Sequence, residues 1–452
     1  MLTEKRYIMA DYDKYLAGGS YICSCGDTHQ VTTKKILIER NAIKKIPGLI
    51  KEYGLPPQMF VVADENTYEA AGKEVLSVLR EAGYSPGSYV FKNEHILHPD
   101  ENAIGSLMMA MEPMPKLLIA VGSGTLNDLT RFCATRLKIP FMVVGTAASM
   151  DGYASGVIPI TRAGMKISYL GITPEVIIGD LDILSAAPLR LMAAGFGDII
   201  GKVPGRLDWM IGSRIFGEDM CPEIEGLVNS AVQKCIEISP ELNMRTYEAA
   251  HSVMEALALS GIAMQMHGNS RPASGAEHHM SHFLEMRDGH YNRPNAYHGA
   301  KVGMTALISM RLYEKFFEAG PPPQGVVPEA MATKARAKKA YGKVWDTVLA
   351  QKGEIYMKSD KWSAAHDKMI ADWDIFKANV EGFKPLREQF ARILEESDAP
   401  SKPQDLGYTK DDIFDAIMYA RMLRTRPTIL GILANWGYLE KYATEIVDEL
   451  FK

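Results

Sequence analysis

The chain lacks most of the features that would place it outside ordinary globular enzymes. Cysteine is scarce, with five among 452 residues at positions 23, 25, 133, 221 and 235, and an odd number in a large chain argues against a disulfide framework. No apolar run reaches the length of a membrane span, and the opening MLTEKRYIMADYDKY has no apolar core of the signal-peptide kind, so a cytoplasmic protein is expected. Basic charge is not in excess: 50 Lys and Arg against 55 Asp and Glu leave a net charge of -5, which argues against nucleic acid or another polyanion as partner. An anionic substrate must then be met by local cations. A fixed-period repeat is also missing.

Histidine, by contrast, is concentrated. Five of the 11 histidines fall between residues 278 and 298, four of them in GAEHHMSHFLEM and AYHGAKVG and the fifth, His290, between the two. His278 and His282 are four apart and Glu285 follows three later, so on a helix all three project from one face. Asp198, in AAGFGDIIGK, is a single carboxylate in an apolar, glycine-rich stretch, where burial demands a partner. Two neutral imidazoles and one carboxylate leave a divalent cation open positions for substrate, which makes Asp198, His278 and His298 the candidate ligands. His279 competes with His278, and spacing leaves that choice open. Cys23, Cys25 and His29 in CSCGDTH raise a second metal reading. It is not favoured, because structural zinc takes four ligands and usually has two residues between paired cysteines, where this segment has one.

At 452 residues the chain exceeds what one core fills, and two domains are expected, residues 1–186 and 187–452. The first alternates short apolar runs with helical periodicity, as a parallel sheet wrapped by helices does: MFVVAD (59–64), SYVFK (88–92), KLLIAV (116–121), PFMVVGT (140–146) and EVIIGD (175–180) read as strands, and SGVIPITRAGMKISYLG as a hairpin. Beyond Pro188 the chain is rich in Ala, Met, Leu and Glu and should be helical, with a kink at Pro204 in a helix near 189–215. GPPPQGVVP (320–328) reads as a stiff loop and the basic segment after it as a surface helix.

KLLIAVGSGTLNDLTRF sets a glycine-rich turn between a strand and a helix, where Gly122 and Gly124 let backbone amides approach a phosphate. It is not the dinucleotide fingerprint, since Asn127 stands at the third glycine and no acid follows about 20 residues on. Asp64 ends an earlier strand, and Thr146, Ser149 and Asp151 follow a later one. The carboxyl ends of strands in an open α/β sheet line the ligand crevice, so these loops are expected to converge on one cofactor. Asp64 can equally serve as a cap for the next helix.

GSGTLND, TAASMDGYAS, AAGFGDIIGK, SRPASGAEHHMSH and HGAKVG together resemble sn-glycerol-1-phosphate dehydrogenase, within the superfamily of iron-containing alcohol dehydrogenases, glycerol dehydrogenase and dehydroquinate synthase. The motifs run in order from about residue 59 to 305. The resemblance implies an α/β nucleotide-binding domain, an all-helical C-terminal domain and an active-site cleft between them. It implies cofactor contacts from Asp64, Gly122, Ser123, Gly124, Thr125, Asp128, Thr146 and Ser149, with Asp151 and Ser155 near the nicotinamide or substrate. Asp198, His278 and His298 match the family's metal ligands, which favours His278 over His279, and Lys202, Arg271 and His282 match positions that meet an anionic substrate in relatives.

The activity so implied is reversible, NAD(H)- or NADP(H)-dependent reduction of dihydroxyacetone phosphate to sn-glycerol 1-phosphate, with one divalent cation, zinc or nickel ahead of iron, which the same ligands also accommodate; a homo-oligomer is expected. A dehydroquinate synthase-like lyase, a glycerol dehydrogenase and a silent metal- or nucleotide-binding scaffold are the alternatives. Two departures stand out: VPG follows Lys202, where relatives carry an aromatic and small polar residues, and the region from about 320 to 410 is longer than usual.

Overall fold

The computed structural model describes residues 15–16, 20–92, 97–291, 293, 296–323, 334–352 and 359–452. Strands β1 (Ser20–Ile22) and β2 (Thr28–Gln30) form a small antiparallel hairpin. The sheet that follows is built from β3 (Lys35–Glu39), β4 (Met59–Asp64), β5 (Gly87–Phe91), β6 (Leu117–Gly122), β7 (Phe141–Gly145) and β10 (Val176–Asp180), with β8 (Val157–Arg162) and β9 (Met165–Leu170) pairing separately. The six strands lie in the order β3-β10-β7-β6-β4-β5, and every described pairing is parallel. β4, β6, β7 and β10 are apolar along nearly their whole length because both faces of the sheet are covered.

After β5 the chain crosses back to the other side of β4 to lay down β6, so the order reverses between β4 and β6. A ligand crevice belongs at the carboxyl ends of the strands at such a reversal, and Asp64 and Gly122 are the last residues of β4 and β6. β8 and β9 form the expected hairpin. Its turn residues Ala163 and Gly164 both have positive φ, 50° and 77°, which matches a two-residue turn to the twist of the strands.

After Asp180 the described chain is helical. Pro204 does not kink one long helix. Instead, two helices, Leu189–Ile200 and Lys202–Phe216, meet at Gly201, and Pro204 sits in the first turn of the second, where its missing N–H costs no intrahelical bond. β3 was not among the expected strands. It is a short edge strand with a charge at each end, KILIE, and its periodicity is too brief to stand out. Of the loop expected at 320–328, residues 324–328 lie outside the described residues. The basic segment beyond it does form a helix, Lys334–Tyr341, but Ala337, Ala340 and Tyr341 are buried on its inner side. Among the described residues, no helix is long and apolar enough to cross a membrane.

Candidate active site

A cleft of about 1580 Å³ runs from the ends of β4 and β6 to the helices of the C-terminal half. Two helices deliver its polar centre by packing backbone against backbone. A Cβ on Gly303 would lie 2.9 Å from Gly197 Cα, so the glycines of GFGD and HGAKVG allow helix Leu189–Ile200 to meet helix His298–Glu318 at the distance that brings Asp198 to His298. Helix Ala276–Tyr291 passes alongside and presents His278, His282 and Glu285 on one face, as their spacing implies.

One ligand atom from each of Asp198, His278 and His298 lies within 4.8 Å of the others. Each is braced from behind. Asp198 is fully buried and accepts from the Asp151 amide at 3.0 Å and from Lys202 Nζ at 2.9 Å. His278 Nδ1 meets Glu277 Oε1 at 2.8 Å, and His298 Nδ1 meets Glu285 Oε1 at 2.8 Å. A carboxylate only accepts, so both Nδ1 atoms carry the proton and both Nε2 lone pairs are left for a ligand. The His278 Nε2 is 3.4 Å from Asp198 Oδ1. The donor set therefore fits a divalent cation bound by three protein ligands with positions left open.

Electrostatics reinforce this. Burial would raise the Asp198 pKa, but the Lys202 ammonium, with His278 and His298, holds it well below the usual carboxylate range. Burial, with Lys166 next, pushes His282 well below the ordinary imidazole value, and at Glu285 burial is outweighed by its ion pair with Lys166 and by His298 together, which hold the carboxyl well below its ordinary value. Glu277 and Lys166 thus position the ligands and the sequence reading missed both; the only hint was their proximity to the histidines and the hairpin. His279 is not in that donor set: it is buried, neither ring nitrogen has a hydrogen-bond partner among the described residues, and burial followed by the nearby Arg426, Arg424 and Arg271 depresses its pKa.

On the nucleotide side, Asp64, Ser123, Gly124, Thr125, Asp128, Ser149, Asp151 and Ser155 line the cleft. Asp64 does cap its helix, accepting from the Thr67 amide at 2.8 Å through Oδ1. Asp128 is ion-paired to the buried Arg131 at 2.7 Å, and Asn127 donates to the Gly152 carbonyl at 3.2 Å, so the residue at the missing third glycine ties the helix to the turn Asp151–Tyr153. Gly122 and Thr146 do not line the cleft. A Cβ on Gly122 would overlap the Leu126 side chain, and the Thr146 amide donates to the Gly122 carbonyl at 3.2 Å.

Lys202 and Arg271 do not line it either. Lys202 is fully buried, bonded to Asp198 and, at 2.7 Å, to Asp151, which also accepts from Ser260 Oγ at 2.8 Å. Arg271 bonds Glu218 and the carbonyls of Asp208 and Pro427, and its Nη1 is buried with no hydrogen-bond partner among the described residues. Arg424, which no motif signalled, does reach the cleft. It bonds only the Leu423 carbonyl and Ser168 Oγ, and no carboxylate is paired with it among the described residues. Tyr341 and Lys343, from the long region after residue 320, form part of the same wall.

Below the site, Asp208 receives the Ala276 and Ile429 amides, both at 2.7 Å, and burial, then Glu277, pushes its carboxyl up to about 7. The folded value lies above the 3.8 of an ordinary aspartate, so between the two the native state keeps a proton that the unfolded chain has released. Its contribution to stability is full below the unfolded value and is lost as pH rises through about 7. Asp208→Asn cannot titrate and is expected to flatten the dependence of stability on pH across that window, read by urea denaturation; an unchanged slope would count against this assignment.

The family described as iron-containing alcohol dehydrogenase matches residues 37–188. Proteins named glycerol-1-phosphate dehydrogenase [NAD(P)+] are similar over a longer stretch. That of Halalkalibacterium halodurans is 36% identical over 295 residues, covering 65% of this chain and 74% of that protein. The Bacillus subtilis protein is 33% identical over 64% of this chain and 73% of its own length, and that of Methanosarcina barkeri 33% over 62% and 76%. Solved structures share the fold: a 1,3-propanediol oxidoreductase superposes with a TM-score of 0.59 at 17% identity over 93% of this chain and 98% of that one. Glycerol dehydrogenase from Schizosaccharomyces pombe gives 0.57 at 15% identity over 92% and 91%.

Proposed function

Because the chain belongs to the glycerol-1-phosphate dehydrogenase family, we propose that it catalyses the reversible, NAD(P)H-dependent reduction of dihydroxyacetone phosphate to sn-glycerol 1-phosphate in the cleft described above. The observation that carries this reading is the convergence of Asp198, His278 and His298 in the same cleft as the glycine-rich turn at residues 123–125. When bound, a divalent cation supplies Lewis acidity toward the ketone oxygen and a reduced nicotinamide supplies the hydride. Asp198, His278 and His298 are the residues that would hold the cation. Zinc or nickel is the ion we assign, with iron(II) compatible with the same donors.

The chain's own groups do the rest. The amides of Ser123, Gly124 and Thr125, at the positive end of helix Gly124–Leu137, receive the cofactor pyrophosphate, with Asp128 lining the cleft beside that turn. Ser149 and Ser155 border the nicotinamide. The free carboxylate oxygen of Asp64 accepts from the ribose and disfavours a 2′-phosphate, which makes NADH the preferred reductant. His282, held neutral by its surroundings, is the proton carrier nearest the ligand imidazoles, its ring 5.5 Å from that of His298. Asp151 fixes the Asp198 carboxylate through its amide, and Lys202 completes that bracket.

The substrate phosphate needs a cation free of acid partners, and Arg424 answers this better than Lys202 or Arg271. Arg424→Ala is expected to raise the KM for dihydroxyacetone phosphate by roughly 10- to 100-fold, the ~1.5–3 kcal/mol of a hydrogen bond to a charged group, with kcat and stability little changed. An unchanged KM would return the phosphate to other residues. The activity itself is tested by following NADH or NADPH absorbance in metal-reconstituted protein given dihydroxyacetone phosphate. A dehydroquinate synthase-like lyase would consume no cofactor, and a glycerol dehydrogenase would act on unphosphorylated glycerol.

A further inference from the structure

The CSCGDTH segment takes no part in the cleft. Cys23 and Cys25 occupy the turn between β1 and β2, and His29 lies on β2. The Cys23 amide donates to the Asp27 carbonyl at 2.8 Å and Gly26 turns the chain at φ 94°, folding both thiols to one side. The structure then supplies what the segment is short of. Cys221, 198 residues from Cys23, precedes helix Pro222–Ile238, and its Sγ is 3.5 Å from Cys23 Sγ. Cys25 Sγ is 3.4 Å from His29 Nε2. One donor atom from each of the four residues lies within 4.8 Å of all the others.

We propose that Cys23, Cys25, His29 and Cys221 form a closed, tetrahedral structural zinc site. Zinc–sulfur bonds of about 2.3 Å place thiolates about 3.8 Å apart around a tetrahedral ion, so little movement is needed. His29 already holds the required tautomer. Its Nδ1 is 2.9 Å from the Met266 carbonyl, which can only accept, so the proton sits on Nδ1 and Nε2 offers its lone pair toward Cys25. Four protein donors leave no open position, which distinguishes this site from the three-donor set in the cleft. Binding converts three thiols to thiolates and releases three protons to solvent, including the one Cys23 shares with Glu223, 3.1 Å away. The one-residue spacing of Cys23 and Cys25 is no obstacle once the fourth ligand comes from a distant helix. The ion fastens the β1–β2 hairpin to helix Pro222–Ile238 directly and to helix Tyr247–His267 through His29 and the Met266 carbonyl.

The test uses the full chain carrying His278→Ala, so that zinc in the cleft is not counted. Elemental analysis of this protein, purified with reductant and without added metal, is expected to show one zinc per chain, and adding Cys25→Ser to remove it. Cys25 is the exposed member of the set, so that replacement spares the core. Exchange into cobalt(II) in the His278→Ala protein should bring intense thiolate-to-cobalt charge-transfer absorption, a readout that needs no cysteine variant. Zinc content indifferent to Cys25→Ser, or a cobalt spectrum without thiolate bands, would overturn the proposal. So would a Cys23–Cys221 disulfide, seen as three rather than five titratable thiols in denatured protein. The cleft's activity is scored separately, in enzyme with His278 intact.

Discussion

Asp198→Asn is expected to abolish cation binding in the cleft and to lower kcat by roughly 1000-fold or more, since several kcal/mol of Lewis-acid stabilisation is lost at about 1.36 kcal/mol per tenfold. The change is nearly isosteric, yet it removes the one anionic ligand. It also disturbs the bracket around it, because Asp198 accepts through Oδ2 from the Asp151 amide and through Oδ1 from Lys202, and an asparagine has one oxygen for two donors. The loss should appear in kcat with little gain in stability on adding zinc to the cleft. Near-normal turnover in a protein shown to hold no cleft cation would break the proposed mechanism.

The second large effect concerns Lys202. Its ammonium is fully buried between Asp151 and Asp198, and both carboxylates raise its pKa against the opposing cost of burial. Lys202→Met strands two carboxylates in the interior, and breaking such a pair costs about 3–5 kcal/mol. Chemical denaturation in EDTA should register that loss, and saturating zinc should restore part of it, because a cation on Asp198 supplies positive charge where the ammonium was. The KM for dihydroxyacetone phosphate should change far less than metal affinity. If instead the KM rose steeply with stability unchanged, Lys202 would be the phosphate ligand that the resemblance implied.

The contrast shows where sequence reasoning runs out. Residue types and local spacing were legible: the continuous apolar runs of β4, β6, β7 and β10, the hairpin at residues 157–170, and the one-face arrangement of His278, His282 and Glu285 all follow from periods the chain carries within a few residues. Long-range partners were not. Asp198 stands four residues before Lys202, but nothing near Lys202 indicates that the distant Asp151 will close on its other side, and nothing near Arg271 indicates that Glu218 and the Pro427 carbonyl will bond to it. Arg424 lies in extended backbone just past a short 3-10 turn, with no motif around it, and Cys221 completes a donor set begun 198 residues earlier. Gly197 and Gly303 were visible as small residues, but their role, letting two helices touch so that Asp198 and His298 meet, appears only in the packed structure.

Anomalous diffraction from crystals of the metal-reconstituted enzyme tests the central claim most directly. The account predicts a peak in the cleft about 2.0–2.2 Å from a carboxylate oxygen of Asp198 and the Nε2 atoms of His278 and His298. A peak held instead by His282, Glu285 and His298, which also approach one another closely enough to bind an ion, with Asp198 still tied to Lys202, would contradict it.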